Sequence, residues 1–241
     1  MQAYLEIDEK IPRDQKLWRY LDLAKFISML DKRALWLARA DTFRDKHEGN
    51  FPEEMNRVID KMYERLNKKY KSTIRSTEEF QDYLVKNTFI SGWHKNFDEN
   101  MVMWEIYGQD NNSVAVQTTI KRIDDFVDKA ALSGHSLKLN EVVYKRADEV
   151  RGIIPYEDCF FIKRPHFAFE QEVRICLDTY SPEYPNKQTP LGYYLPAQID
   201  LLIESVLVHP DSSDWFINVI KSIKKKYRLN ADVRLGICGT S

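Results

Sequence analysis

Phe167-Ala168-Phe169-Glu170-Gln171-Glu172-Val173-Arg174-Ile175-Cys176-Leu177 alternates between apolar and charged side chains. A period of two marks a β-strand, whose successive side chains point to opposite faces. Read so, Phe167, Phe169, Val173, Ile175 and Leu177 share one face, interrupted by Gln171, while Glu170, Glu172, Arg174 and Cys176 share the other. Two carboxylates two residues apart on one strand face lie within roughly 7 Å of each other. They repel unless Arg174, a ligand or a metal offsets them, and such crowding displaces pKa values. The same pattern also suits an edge strand with a solvated charged face and an internal ion pair.

Outward from this strand, periodicity places the other elements. Asp22 is an N-cap for a helix with Leu23, Phe26, Ile27 and Leu30 at helical spacing. Leu35–Ala40, Thr88–His94, Ser113–Thr118, Leu137–Tyr144, Ile203–Val208 and Val233–Ile237 read as strands, and Trp18-Arg19-Tyr20 as a short extended segment. Residues 51–86 read as two charged helices, one with Met55, Val58, Ile59 and Met62 on its apolar face, the other with Phe80, Tyr83 and Leu84. Lys68, Lys69 and Lys71 make a small basic cluster between them. Met101–Tyr107 and Ile123–Leu132 read as helices, and so does Trp215–Tyr227 with Trp215, Val219, Ile220 and Ile223 inward. The proline- and tyrosine-rich stretch 180–198 is loop-like. Helices between the early strands, then strands close together, predict an α+β fold with a mixed or antiparallel central sheet and helices packed around it. One domain is expected over residues 1–241, with 51–86 a charged helical insertion or lid.

The 241 residues carry 36 basic and 37 acidic side chains, so no global field draws the chain to nucleic acid or a membrane. Cys159, Cys176 and Cys238 form no Cys-x-x-Cys pair, which excludes a disulfide framework or a zinc knuckle. The first residues carry no apolar signal core and no run reaches membrane-spanning length, so a cytoplasmic protein with no membrane partner is expected. No glycine-rich loop follows the first strand, no His-Glu-x-x-His occurs and no Gly-x-Ser-x-Gly elbow occurs, which sets aside Rossmann, P-loop, zinc-protease and α/β-hydrolase readings. Three features remain: Arg19-Tyr20, Ser91-Gly92-Trp93-His94, and Glu170-x-Glu172.

Three strings carry a resemblance. WRYLDLAKFISMLDKRALWLARADTFRDKHEG (18–49), FISGWHKNFDENMVMWEIYGQDNNSVAVQTT (89–119) and KRPHFAFEQEVRI (163–175) resemble a widespread bacterial family known as a domain of unknown function. Its pattern is an Arg-Tyr opening, a loop with Asp and Glu, a Trp-x-x-Tyr-Gly block and a Phe-x-x-Glu-x-Glu-x-Arg strand. The order of an early arginine, a serine in a middle strand and a late Glu-x-Glu is also similar to the ADP-ribosyltransferase superfamily. That resemblance implies a split-sheet α+β fold around a cleft for NAD. It implies that Arg19 grips a phosphate or ribose, and that Tyr20, Trp93 or Tyr107 stacks on nicotinamide. Ser91 then stands in the middle-strand serine position beside His94. Glu172 is the catalytic carboxylate and Glu170 orients the acceptor, or the two exchange roles.

Three readings stay open. The first is a nucleotide-using transferase or glycohydrolase, a bacterial toxin or phage-defence effector, with a protein or nucleic-acid acceptor, a cleft uniting Arg19, Ser91, Trp93 and Glu172, and no metal. The second is a non-catalytic sensor, antitoxin or interaction module, with Trp93, Trp104 and Tyr107 in the core. The third is a metal-dependent nuclease or phosphoesterase, with Asp41, Asp45, Glu48, Glu170 and Glu172 around Mg²⁺. The lack of a lysine adjacent to the late pair counts against the third. No oligomeric state follows from the sequence.

Overall fold

A computed structural model of the chain describes residues 5–45, 47–69, 76–108, 110–132, 134–180 and 189–238. In chain order the first half holds β1 (Leu5–Ile7), β2 (Lys16–Asp22), α1 (Leu23–Lys32), β3 (Ala34–Arg39), α2 (Glu53–Lys69), α3 (Thr77–Lys86), β4 (Thr88–Lys95), α4 (Met101–Met103), β5 (Ser113–Thr119) and α5 (Ile120–Phe126). The second half holds β6 (Ser136–Glu141), β7 (Val143–Tyr144), β8 (Ile162–Lys163), β9 (Glu172–Asp178), β10 (Gly192–Pro196), α6 (Ile199–Leu202), β11 (Ser205–Val208), α7 (Asp214–Tyr227) and β12 (Asp232–Leu235).

Ten strands form one mixed sheet in the order β1-β6-β9-β4-β2-β5-β11-β12, with β3 also on β4 and β10 on β3. The β1–β6 and β11–β12 pairs are parallel and the other pairs of this sheet are antiparallel. One edge of β4 pairs along its length with β9, from Thr88↔Asp178 to His94↔Glu172. Its other edge is shared. Leu17 and Trp18 of β2 pair with Lys95 and His94, while Ala38 and Arg39 of β3 pair with Ile90 and Phe89. At Ser91 and Gly92 the two strands part, β2 running on beside β5 and β3 beside β10. The sheet is split at its centre.

Helices cover both faces. On the first face Phe26, Met29 and Leu30 of α1, Ile120 and Ile123 of α5, and Phe216 and Ile220 of α7 pack over Leu17, Leu21, Phe89, Trp93, Val173 and Ile175. Each fully buried side chain of this kind contributes roughly 1.5–3 kcal/mol. On the second face Phe51, Met55 and Leu84 pack with Ile90, Phe160 and Cys176, and Met103 and Trp104 pack with Trp18 and Tyr20. The stretch 51–86 therefore supplies core: α2 and α3 are tied by the Thr77 hydroxyl donating to Asp60, and both seat apolar residues on the sheet.

Several elements differ from expectation. The strand at 167–178 begins only at Glu172. Pro165–Glu170 is a 3₁₀ turn with proline in its first turn, and Gln171 follows in the left-handed region (φ 40°). The strand 137–144 breaks at Val142, because Val143 and Tyr144 leave the large sheet to pair with Ile162 and Lys163. Met101–Tyr107 is helical, but its second half, Trp104–Gly108, is a π-helical turn. The buried line of α2 begins at Phe51 and includes Met55 and Tyr63, with Ile59 partly buried; Val58 and Met62 face water. In α7 Ile220 is buried and Ile223 packs partly on the core as expected, but Phe216 takes the inward place and Trp215 is 69 % exposed. Lys71 of the expected basic cluster, and residues 181–188 of the expected loop, lie outside the described residues.

Candidate functional site

Cross-strand partners share a face. The register Gly92↔Arg174 and His94↔Glu172 puts Glu172 and Arg174 on the second face, while Ser91↔Ile175 and Trp93↔Val173 turn Ser91 and Trp93 to the first. Arg174 is fully buried. Its guanidinium forks onto Glu48 (Nη1–Oε2 2.7 Å, Nη2–Oε1 2.9 Å), donates to Glu172 Oε2 (2.9 Å) and to the Phe160 carbonyl (2.5 Å). Lys163, at the end of β8, brings its Nζ to Glu170 Oε2 (2.6 Å), Glu172 Oε2 (3.3 Å) and Glu48 Oε1 (3.8 Å). The Tyr107 hydroxyl donates to Glu170 Oε1 (2.9 Å), and the Glu172 amide donates to the Tyr144 hydroxyl (2.7 Å). His94 Nδ1 lies 2.6 Å from the Glu170 carbonyl, an acceptor, so Nδ1 carries the proton. Three carboxylates and two cations are thus assembled out of water, each ion within reach of an opposite charge.

Glycine at position 92 is required by this packing. The Glu172 carboxylate lies across β4 in the space that a Cβ at Gly92 would fill. The left-handed Gln171 turns the chain between the 3₁₀ turn and β9, so Glu170 approaches Lys163 from outside the strand. The expected crowding of the two carboxylates is real, but the cations that offset it are Lys163 as well as Arg174.

The two carboxyls are driven apart in proton affinity. Burial pushes Glu172 up, but the Arg174 guanidinium and the Lys163 ammonium outweigh it and hold the group below the usual carboxylate range. Burial pushes Glu170 up as well, and there Lys163 and the Tyr107 hydroxyl do not outweigh it. Burial lowers Lys163 while Glu172 and Glu170 more than restore it, so the ammonium stays charged. Burial and the Glu170 carboxylate raise Tyr107. Burial lowers His94, which stays neutral, and raises Cys176 far above a reactive thiol.

Of the residues expected at the site, Glu170, Glu172, His94 and Tyr107 meet here, and Tyr20 stands behind with its ring 6.4 Å from that of His94. The Tyr20 hydroxyl is taken by the Asn100 amide (2.8 Å) and its ring by Trp104. Arg19, Ser91 and Trp93 form a separate group at the split. Arg19 Nη1 donates to Ser91 Oγ (2.7 Å), Nη2 donates to the Trp36 carbonyl (3.1 Å), and the guanidinium lies 5.7 Å from the Trp93 ring. The sheet stands between this group and Glu172. Trp93 and Tyr20 are buried, whereas Tyr107 is 39 % exposed.

The expected gathering of acids around Mg²⁺ takes a different form. Asp41 is held by Arg39 and Asp45 by Arg164 (2.9 Å), while Glu48 joins the late pair around Arg174 and Lys163. Among the described residues no group of His, Cys, Asp and Glu is arranged to hold a metal. Lys163 is the residue that local reading missed, and its presence overturns the expectation that no lysine attends the pair. It opens the string 163–175, whose pattern was the available signal. All three strings that carry the family resemblance converge here: Glu48 from the first, His94 and Tyr107 from the second, Lys163, Glu170, Glu172 and Arg174 from the third. A cavity of about 610 Å³, walled by α2, α3 and the loop after β3, reaches the cluster at Glu48.

No protein-family model and no curated protein matches the chain. Three solved structures of DarT from Thermus sp. 2.9 are similar over nearly its whole length. The complex with NAD+ is 10% identical, covering 94% of this chain and 97% of that chain with a TM-score of 0.43. The complex with ADP-ribosylated ssDNA is 12% identical (98% and 97%, TM-score 0.38), and that with carba-NAD+ is 8% identical (94% and 97%, TM-score 0.43). Among the described residues no helix is long and apolar enough to cross a membrane.

Proposed function

We propose that the chain is a nucleotide-using transferase or glycohydrolase of the ADP-ribosyltransferase type, consuming NAD, with Glu172 and Glu170 as its reacting carboxylates. The observation that carries this reading is the placement of two neighbouring carboxyls on one lysine, Glu170 at 2.6 Å and Glu172 at 3.3 Å from Lys163 Nζ, and their surroundings displace the two proton affinities in opposite directions. Pairs of groups with separated proton affinities divide acid–base and electrostatic work between them. Glu172, kept ionised, hydrogen-bonds the nicotinamide ribose and stabilises the positive charge that develops as the glycosidic C–N bond breaks. Nicotinamide leaves with the bonding electron pair. The acceptor, water or a nucleophile of a protein or nucleic acid, forms the new bond and passes its proton to Glu170, the stronger base of the two. Tyr107, the exposed ring over Glu170, offers the stacking surface. A role as a toxin or defence effector belongs to the same proposal.

A second reading has its own observation: both oxygens of Glu48 and one of Glu172 are already taken by Arg174, the arrangement of a structural ion cluster in a non-catalytic module. Titration of the purified protein with NAD, with nicotinamide release followed in parallel, separates the two. The transferase reading expects binding and slow release, and a Glu172→Gln variant that folds but loses about 100-fold or more of the rate. Full activity in a Glu170→Gln, Glu172→Gln double variant would sink it. Heat with Mg²⁺ and none with NAD would transfer the cluster to a metal-dependent phosphoesterase, and heat with neither to the interaction module.

A further inference from the structure

Arg19 is left without a task by the reading above, and its surroundings are unusual for a cation. Its two recorded acceptors, Ser91 Oγ and the Trp36 carbonyl, are neutral, and among the described residues no carboxylate pairs with it. Every other arginine named so far has an acid: Arg39 has Asp41, Arg164 has Asp45, Arg174 has Glu48 and Glu172. Withdrawal from water pulls the Arg19 guanidinium down to about 10, and no neighbouring charge opposes the shift. The side chain is half-buried, with its Trp36 contact at the surface, so a charge from solution can reach the guanidinium.

The guanidinium lines a cavity of about 220 Å³ in the split between β2 and β3, walled by Leu21, Met29, Ala34, Trp36 and Tyr194. The walls are apolar and aromatic, and the two rings at the mouth are fixed. Trp36 and Tyr194 lie 4.8 Å apart between centroids yet stay 37 % and 41 % exposed. The Trp36 indole occupies the space of a side chain at position 192, where only glycine fits. The Tyr194 hydroxyl is 3.2 Å from Ser28 Oγ. The one other cation at the cavity, Lys25, already has Asp22 at 2.7 Å.

We propose that this cavity is a binding site for a small aromatic monoanion, its carboxylate on the Arg19 guanidinium and its ring between Trp36, Tyr194 and Met29. A fork of two N–H donors suits a carboxylate better than any neutral group, and an apolar pocket with few convergent polar atoms is the usual form of a small-molecule site. The size fits a single ring and not a dinucleotide. The site lies apart from the Glu170–Glu172 cluster and does not depend on the NAD reading.

The test is titration of the intact protein with benzoate, benzamide and acetate, followed by tryptophan emission and by heat. Trp36 in the wall and Trp93 beside Arg19 are the reporters. Benzoate is expected to saturate, with benzamide and acetate at least about tenfold weaker, a difference of about 1.4 kcal/mol. Arg19→Gln is expected to abolish benzoate binding. If that variant fails to fold, Tyr194→Ala decides, since it removes a half-exposed wall, and it is expected to weaken benzoate several-fold with NAD turnover unchanged. Absence of saturable benzoate binding by the folded native protein, equal affinity for benzamide, or unchanged binding in folded Arg19→Gln or Tyr194→Ala would each overturn the proposal.

Discussion

Glu48 and Arg174, 126 positions apart in the chain, meet as a forked ion pair with N–O distances of 2.7 and 2.9 Å and almost no contact with water. Removing one member leaves the other charge buried. Glu48→Ala is expected to cost about 3–5 kcal/mol, whereas replacing both with apolar residues of similar volume costs less. Urea unfolding of Glu48→Ala beside a Glu48→Leu, Arg174→Met double variant checks this, and a double variant no more stable than Glu48→Ala would contradict it.

Gly92→Ala forces the Glu172 carboxylate off β4. Overpacking of this kind costs about 1–3 kcal/mol. Loss of turnover in Gly92→Ala, in protein whose circular dichroism is native, is expected if Glu172 reacts where it stands. Native turnover in that variant would show that the carboxylate position does not matter.

Glu172 and Glu170 are expected to give stability opposite slopes against pH. Burial opposes ionisation of Glu172, but Arg174 and Lys163 prevail, and its folded pKa lies below the ordinary 4.5. Its contribution is present above 4.5 and lost as pH falls through the depressed folded value. Burial raises Glu170 above 4.5, so its contribution is present below 4.5 and lost as pH rises through the raised value. Melting temperature against pH is therefore expected to flatten on the acid side in Glu172→Gln and above 4.5 in Glu170→Gln; identical profiles for the two variants would refute the assignment.

Phe216→Ala is expected to cost about 3–5 kcal/mol and Trp215→Ala less than about 0.5 kcal/mol, because only the first leaves a hole in the core. Thermal unfolding of the two single variants distinguishes the faces of α7.

Much of the fold was legible where one short pattern decides it. Asp22 caps α1 as expected, accepting from the Lys25 amide at 2.7 Å, and β4 and β5 stand within one residue of their expected limits. The mixed α+β sheet followed from the same patterns. The errors share a cause. Alternation from Phe167 to Leu177, interrupted only at Gln171, runs into the turn Pro165–Glu170, where proline at the start and a left-handed Gln171 at the end break the strand. Helical spacing in α7 fits two faces about equally, and Ser213 as N-cap with the sheet beneath selects Phe216 over Trp215. Glu170, Glu172, His94 and Tyr107, singled out from the sequence, do lie together in the structure. The side of the sheet to which Arg19, Ser91 and Trp93 turn depends on register between distant strands, and so does the arrival of Lys163 beside the glutamates. Neither is written in any local stretch.

The charge cluster draws its members from distant parts of the chain. Glu48 and Tyr107 are made early, but both cations, at 163 and 174, and the two other acids, Glu170 and Glu172, come from the last third of the chain. A product that stops before β8 lacks both cations that accompany Glu48, and its carboxylate is expected to stay hydrated. Of two separately expressed pieces divided between α5 and β6, the second would carry both cations with Glu170 and Glu172, and only joining would return Glu48 to Arg174.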